Sequence, residues 1–170
     1  MKRTIVSMIC IAFVLAIAPT AIAQLLVGSP EDKLYQQILD EKTADKKAQL
    51  LLTFEKNFPQ SKVLPDVYVN LMGIYQRQGE QAKTIDFGEK AIKLDSENVS
   101  ALMAVAREYA IQRKNLDRAL QYAQKAVNSA VKMKAQPAPE SFAPEQWKQY
   151  VENTEDAARS ILLYVKSIRP

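Results

Sequence analysis

Tyr68-Val69-Asn70-Leu71-Met72-Gly73-Ile74-Tyr75 and, 34 residues later, Leu102-Met103-Ala104-Val105-Ala106-Arg107-Glu108-Tyr109 share one size pattern. Tyr68, Leu71, Met72 and Tyr75 recur at steps of three and four, which puts them on a single stripe of a helix. Leu102, Val105, Ala106 and Tyr109 repeat that stripe. The echo then continues at an offset of 35, pairing Thr84 with Ala119, Ile85 with Leu120, Phe87 with Tyr122, Gly88 with Ala123 and Ala91 with Ala126. The extra residue falls in the turn near Arg113–Asn115, where an insertion costs least. One such helical hairpin cannot bury its own stripe, whereas stacked hairpins can. The spacing therefore predicts an all-α fold, an α-solenoid of stacked antiparallel helix pairs.

The pattern resembles the tetratricopeptide repeat family, over about residues 65–131. The family's aromatic-x-x-Leu-small-x-x-Tyr signature stands here as Tyr68, Leu71, Met72, Tyr75 and as Leu102, Val105, Ala106, Tyr109. Its second-helix signature stands as Ala119, Ala123, Ala126 and, more weakly, as Thr84, Gly88, Ala91. Leu94-Asp95-Ser96-Glu97-Asn98 is similar to the family's Leu-Asp-Pro linker, with Ser for Pro. The sequence departs from the family at the preferred Trp, at Met72 and at Arg113, which replaces the turn Gly. The resemblance implies that the first helices of successive pairs line a concave groove. The residues facing it would be Asp66, Val69, Asn70, Gly73, Gln76 and Arg77, then Ser100, Met103, Ala104, Arg107, Ala110 and Ile111. Val69, Gly73, Ser100 and Ala104 stand where much of the carboxylate clamp of chaperone-binding members would be, so that ligand class is excluded.

Helical signals extend on both sides of the echo. Ser29-Pro30-Glu31-Asp32 supplies an N-cap, a first-turn Pro and two acids, and Leu34, Tyr35, Ile38 and Leu39 follow as a stripe. Ala48, Leu51, Leu52, Phe54 and Phe58 make a second stripe that ends at Pro59. Residues 29–60 thus read as a degenerate first repeat, 65–98 as the second and 99–135 as a third with a prolonged second helix. All three fall in an array over 24–135. Gln136-Pro137-Ala138-Pro139 opens a stiff linker over 136–143. A last helix over 144–170 carries Trp147, Val151, Ala158, Ile161, Leu162, Val165 and Ile168 at helical spacing. Its expected role is to cap the open end of the array, with self-association as the alternative.

Residues 1–23 read as a cleaved secretory signal peptide. Lys2 and Arg3 precede an apolar run from Ile5 to Ala18, and Ala21-Ile22-Ala23 provides a small-x-small cleavage site. The run is too short to span a bilayer and Pro19 breaks it. Cys10 has bulky Ile9 before it, unlike a lipidated cysteine. Export, most simply to a bacterial periplasm, is the expected location, with secretion as the alternative. Taking 23 residues, Lys2 and Arg3 included, from a 170-residue chain of charge +4 leaves 147 residues of charge +2. So small a charge holds neither nucleic acid nor an anionic membrane at long range.

The chain has no His and a single Cys, which lies within that leader. The usual zinc sites, Cys-His pairs and Ser-His-Asp triads cannot then be assembled. Gly28, Gly73, Gly79 and Gly88 are scattered and make no phosphate loop or nucleophile elbow. The acid pairs Glu31-Asp32, Asp40-Glu41 and Glu155-Asp156 diverge by about 100° on a helix and read as solvated or capping groups. Lys46-Lys47 and Lys132-x-Lys134 lack the interleaved aromatics of a nucleic-acid stripe. The expectation is a non-catalytic adaptor with no cofactor, which holds a protein or peptide in its groove. The other expectation is an envelope component that self-associates through its last helix.

Overall fold

The computed structural model describes residues 25–169; the leader expected over 1–23 lies outside them. The described residues form seven helices and no strand: α1 Pro30–Asp40, α2 Ala44–Asn57, α3 Leu64–Arg77, α4 Gln81–Leu94, α5 Val99–Ile111, α6 Leu116–Lys134 and α7 Pro144–Ile168. Neighbours in sequence pack against one another, as an all-α repeat solenoid requires.

Local chemistry sets the helix ends. Ser29 Oγ accepts from the Asp32 amide at 3.1 Å, and Pro30 occupies the first turn of α1. Asn98 Oδ1 caps α5 in the same way, taking the Ala101 amide at 3.0 Å. The turns closing α3 and α5 are equivalent. In the first, the Glu80 amide reaches the Tyr75 carbonyl and the Gly79 amide reaches that of Gln76. In the second, Lys114 reaches Tyr109 and Arg113 reaches Ala110. Both are left-handed closures of the Schellman type. Gly79 takes a φ of 73° at no steric cost, whereas Arg113 is forced to 51° and Asn115 to 49°. The missing turn glycine therefore changes the strain and leaves the geometry intact.

The core runs through α3, α4, α5 and α6. Leu71, Leu102, Val67 and Val105 are wholly buried, and truncating such a Leu to Ala costs about 2–5 kcal/mol. Tyr75 and Tyr109 are buried as well, and Tyr75 stacks on Phe87 with ring centres 5.5 Å apart. Ala119, Ala123, Ala126 and Ala130 carry no exposed surface, so α6 lies close on its neighbours. The Tyr109 hydroxyl donates to Glu89 at 2.8 Å, and Tyr122 and Arg118 also reach the Glu89 carboxylate. Burial first, then the bond to Glu89, pushes the Tyr109 hydroxyl up to about 12.

The stacking is asymmetric. The backbones of α3, α5 and α7 touch in series, while α2, α4 and α6 do not approach one another. Polar side chains bridge that wider side: Lys90 to Glu55 at 3.1 Å, and Arg118 to Glu89 at 2.7 Å. Close packing on one side and polar bridges on the other bend the array, with α3, α5 and α7 inside.

The two ends differ. α1 runs beside α2 and beside no other helix. α7 lies antiparallel along α6 and also packs on α5, burying Ala158, Leu162 and Val165. Glu155 takes Arg159 at 2.6 Å and Lys134 at 3.2 Å, which holds its carboxyl below the usual range. Arg169 ties the far end of α7 to Asp117 at 2.6 Å.

Candidate functional site

The inner side of the bend holds a cavity of about 470 Å³. Its lining comes from three helices. α3 contributes Val69, Asn70, Met72, Gly73, Gln76 and Arg77; α5 contributes Ser100, Met103, Ala104 and Arg107; α7 contributes Ala157 and Ile161. These residues share a face because positions three and four apart on a helix point the same way, and the buried stripes lie beside them. Gly73, Ala104 and Ala157 supply one small residue from each helix and open the floor. Met103 and Ile161 supply apolar contact.

The cavity is polarised. Its lining includes Arg77 and Arg107 and no carboxylate. Neither arginine enters an ion pair among the described residues, and both are exposed. Arg77 folds back along its own helix, so that a Cβ built on Gly73 would sit 3.6 Å from Arg77 Nη1. Asn70 Nδ2 donates to the Asp66 carbonyl at 2.8 Å, which turns the amide toward the start of α3.

The residues expected from sequence divide clearly. Val69, Asn70, Gly73, Gln76, Arg77, Ser100, Met103, Ala104 and Arg107 all line this cavity. Asp66 is exposed in the first turn of α3 and stands outside it. Desolvation, followed by the nearby Asp95, holds the Asp66 carboxyl above its ordinary range. Ile111 is 42% exposed at the end of α5 and also lies off the lining. Ala110 is a correction. It is fully buried within the packing around α5, and it cannot meet a ligand.

Sequence reasoning missed the contribution of α7. The i,i+4 pair Ala157 and Ile161 is visible in the sequence, but which face of a terminal helix turns inward depends on its packing angle. Glu108 was also passed over. It is 6% exposed, and its Oε2 finds no hydrogen-bond partner. Burial raises its carboxyl above the ordinary value, with neighbouring Arg107 acting in the opposite sense. The 34-residue offset held the signal, since it pairs Glu108 with Ile74, an aliphatic residue buried to 2% exposure.

Two further hollows lie elsewhere, one of about 420 Å³ around Glu89, Arg118 and Tyr122, and one of about 430 Å³ between α6 and Lys166. Glu89, Arg118 and Tyr122 already bond one another, so the first is a structural junction. Among the described residues there is no cluster of three metal-ligating side chains, and no helix is long and apolar enough to cross a membrane. No protein-family model, curated protein or solved structure matches the chain.

Proposed function

We propose that this chain is an exported, non-catalytic adaptor of the tetratricopeptide type, which docks a peptide or partner helix in the trough between α3, α5 and α7. The observation that carries this reading is the trough itself: a preformed cavity of about 470 Å³ with small residues on its floor, apolar walls and two arginines outside ion pairs. Concave apolar sites with a few convergent polar groups are where proteins take ligands. The leader-like residues 1–23 support export.

Site-directed photocrosslinking in the producing cell tests it. A benzophenone amino acid at Ser100 or Gln76 should give discrete heterologous adducts, and one at Lys93 or Gln124 on the outer side should give none. Adducts from the outer positions alone would move the site off the trough. A second reading, self-association through α7, is favoured by Leu163 at 68% and Tyr164 at 43% exposure. Under that reading the probe at Leu163 yields a crosslinked dimer, and the probe-free protein shows a concentration-dependent dimer by light scattering that is lost on deletion of residues 144–170.

A further inference from the structure

We infer that α7 carries a second helical seam and that a second copy of this chain fills it, the two α7 helices lying parallel. This pairing rests on the self-association reading above and gives it a face, a register and an orientation. Val151, Glu155, Ala158, Leu162 and Val165 make the buried stripe that seats α7 on its own array. A second stripe runs beside it. Tyr150, Thr154, Ala157, Ile161, Tyr164 and Ile168 recur at steps of four and three along about 27 Å of helix. At about 100° per residue, this stripe stands about 100° round from the buried one. Tyr150 and Tyr164 are each 43% exposed, Ala157 is exposed, and Thr154, Ile161 and Ile168 are half-buried. A strict seven-residue apolar repeat keeps two supercoiled helices in contact along their length. Ala157 and Ile161 also line the trough, so the seam shares one wall with it.

Charge and side-chain shape name the occupant. Every charged side chain of α7, from Glu145 to Lys166, falls on the half of the helix turned away from this seam. The open flank is Gln146, Asn153, Ser160 and Ser167, so two identical copies meet there without like-charge repulsion. Leu163, 68% exposed, stands among the charges and off the seam. Thr154 is the polar member of the stripe, yet its hydroxyl donates to the Tyr150 carbonyl at 2.7 Å, which satisfies its proton within the helix. Thr154, Ile161 and Ile168 take the a positions of the heptad, and Tyr150, Ala157 and Tyr164 take d. Every a position is thus β-branched, which favours two parallel strands. The rest of the molecule agrees on orientation. A two-fold axis along the helices sends the two arrays to opposite sides, whereas an antiparallel pair would carry both to one side, trough against trough.

Light scattering on the purified protein between about 1 and 200 μM, with the unaltered chain beside seam and control variants, tests this. A concentration-dependent dimer is expected. Ile161→Asp should weaken it at least about 100-fold, since each copy would bury an unpaired charge. Tyr164→Asp, which starts from a more exposed position, should do the same with the helical circular dichroism unchanged. Leu163→Asp should leave the dimer intact. Orientation is read from thiols placed in a Cys10→Ser background. Tyr164→Cys should oxidise to a disulfide-linked dimer with itself, because a parallel seam sets each residue opposite its own copy. A disulfide that forms only between Tyr164→Cys and Thr154→Cys chains would make the pair antiparallel and overturn the inference. Loss of the dimer in Leu163→Asp with the seam variants unaffected would keep self-association through α7 and remove this seam. A monomer at every concentration removes both.

Discussion

Glu108 is the residue most at odds with its surroundings. A buried carboxylate with an unpartnered oxygen bears a desolvation cost that no ion pair offsets. Its counterpart Ile74 shows what the repeat accepts at that level. Glu108→Ile should raise stability by about 1–3 kcal/mol at pH 8. The pH dependence has a definite sign. A carboxyl raised in the folded state favours folding most where both states hold the proton, below the ordinary 4.5, and that contribution is lost as pH rises through the folded-state value. The advantage of Glu108→Ile, and of the uncharged Glu108→Gln, should therefore shrink between pH 8 and pH 5. Denaturant midpoints for the three proteins at both pH values check this. An advantage that does not change with pH would mean that the ionised carboxyl finds a partner in solution. Arg113 and Asn115 are strained differently, as non-glycines at left-handed φ, yet the turn at Arg113 keeps the hydrogen bonds of its glycine counterpart.

Between elements, α4 comes close to α5 at Gly88. A Cβ on Gly88 would overlap Val105 Cγ2 and crowd Met72 Sδ at 3.3 Å. Helix propensity alone favours Ala over Gly by about 0.5–1 kcal/mol, so the packing term must exceed that to make Gly the better residue. Gly88→Ala should destabilise by about 1–3 kcal/mol. In a double-mutant cycle with Val105→Ala, the pair should be more stable than the sum of the singles by about 1–2 kcal/mol. Strict additivity would show that α4 does not rest on that contact. These same small positions made the helices legible in the sequence, because a stripe spaced three and four apart needs no tertiary information to be recognised. The trough-facing residues of α3 and α5 were legible for a related reason: once the stripe is known, the neighbouring face follows from the helical period. Ala110 escaped that rule because α5 is packed on several sides, which leaves it no exposed surface. Ala157 and Ile161 escaped because the face that α7 turns toward the trough depends on how Ala158, Leu162 and Val165 seat against α5 and α6, which the pattern of α7 alone does not contain.

For the molecule as a whole, stability in a stacked array is a sum over each unit and its neighbour interfaces, so the pattern of neighbours ranks the helices. α5 touches α3, α4, α6 and α7, whereas α1 touches only α2. The trough is thus built on the best-supported helix, and the opposite end of the array hangs on the packing of α2 against α3 and on the Lys90–Glu55 bridge from α4. Local opening should begin there, at the low end of the free-energy range that amide exchange reports. Amides in the second half of α1, Tyr35 to Leu39, should exchange at least about 100-fold faster than those of Leu102 to Tyr109 in α5, a gap of about 2.7 kcal/mol. Exchange followed by mass spectrometry on peptides from α1, α3, α5 and α7 reads this directly. The trough helices should stay protected while α1 opens, as a preformed site needs, since a ligand then meets no ordering cost in its walls. Uniform protection from α1 to α7 would instead make the array one cooperative unit, with α1 held by contacts beyond its single helical neighbour. Early opening of α7 would leave Ile161 and Ala157 free to swing away, and the trough would then have to close around its ligand rather than receive it.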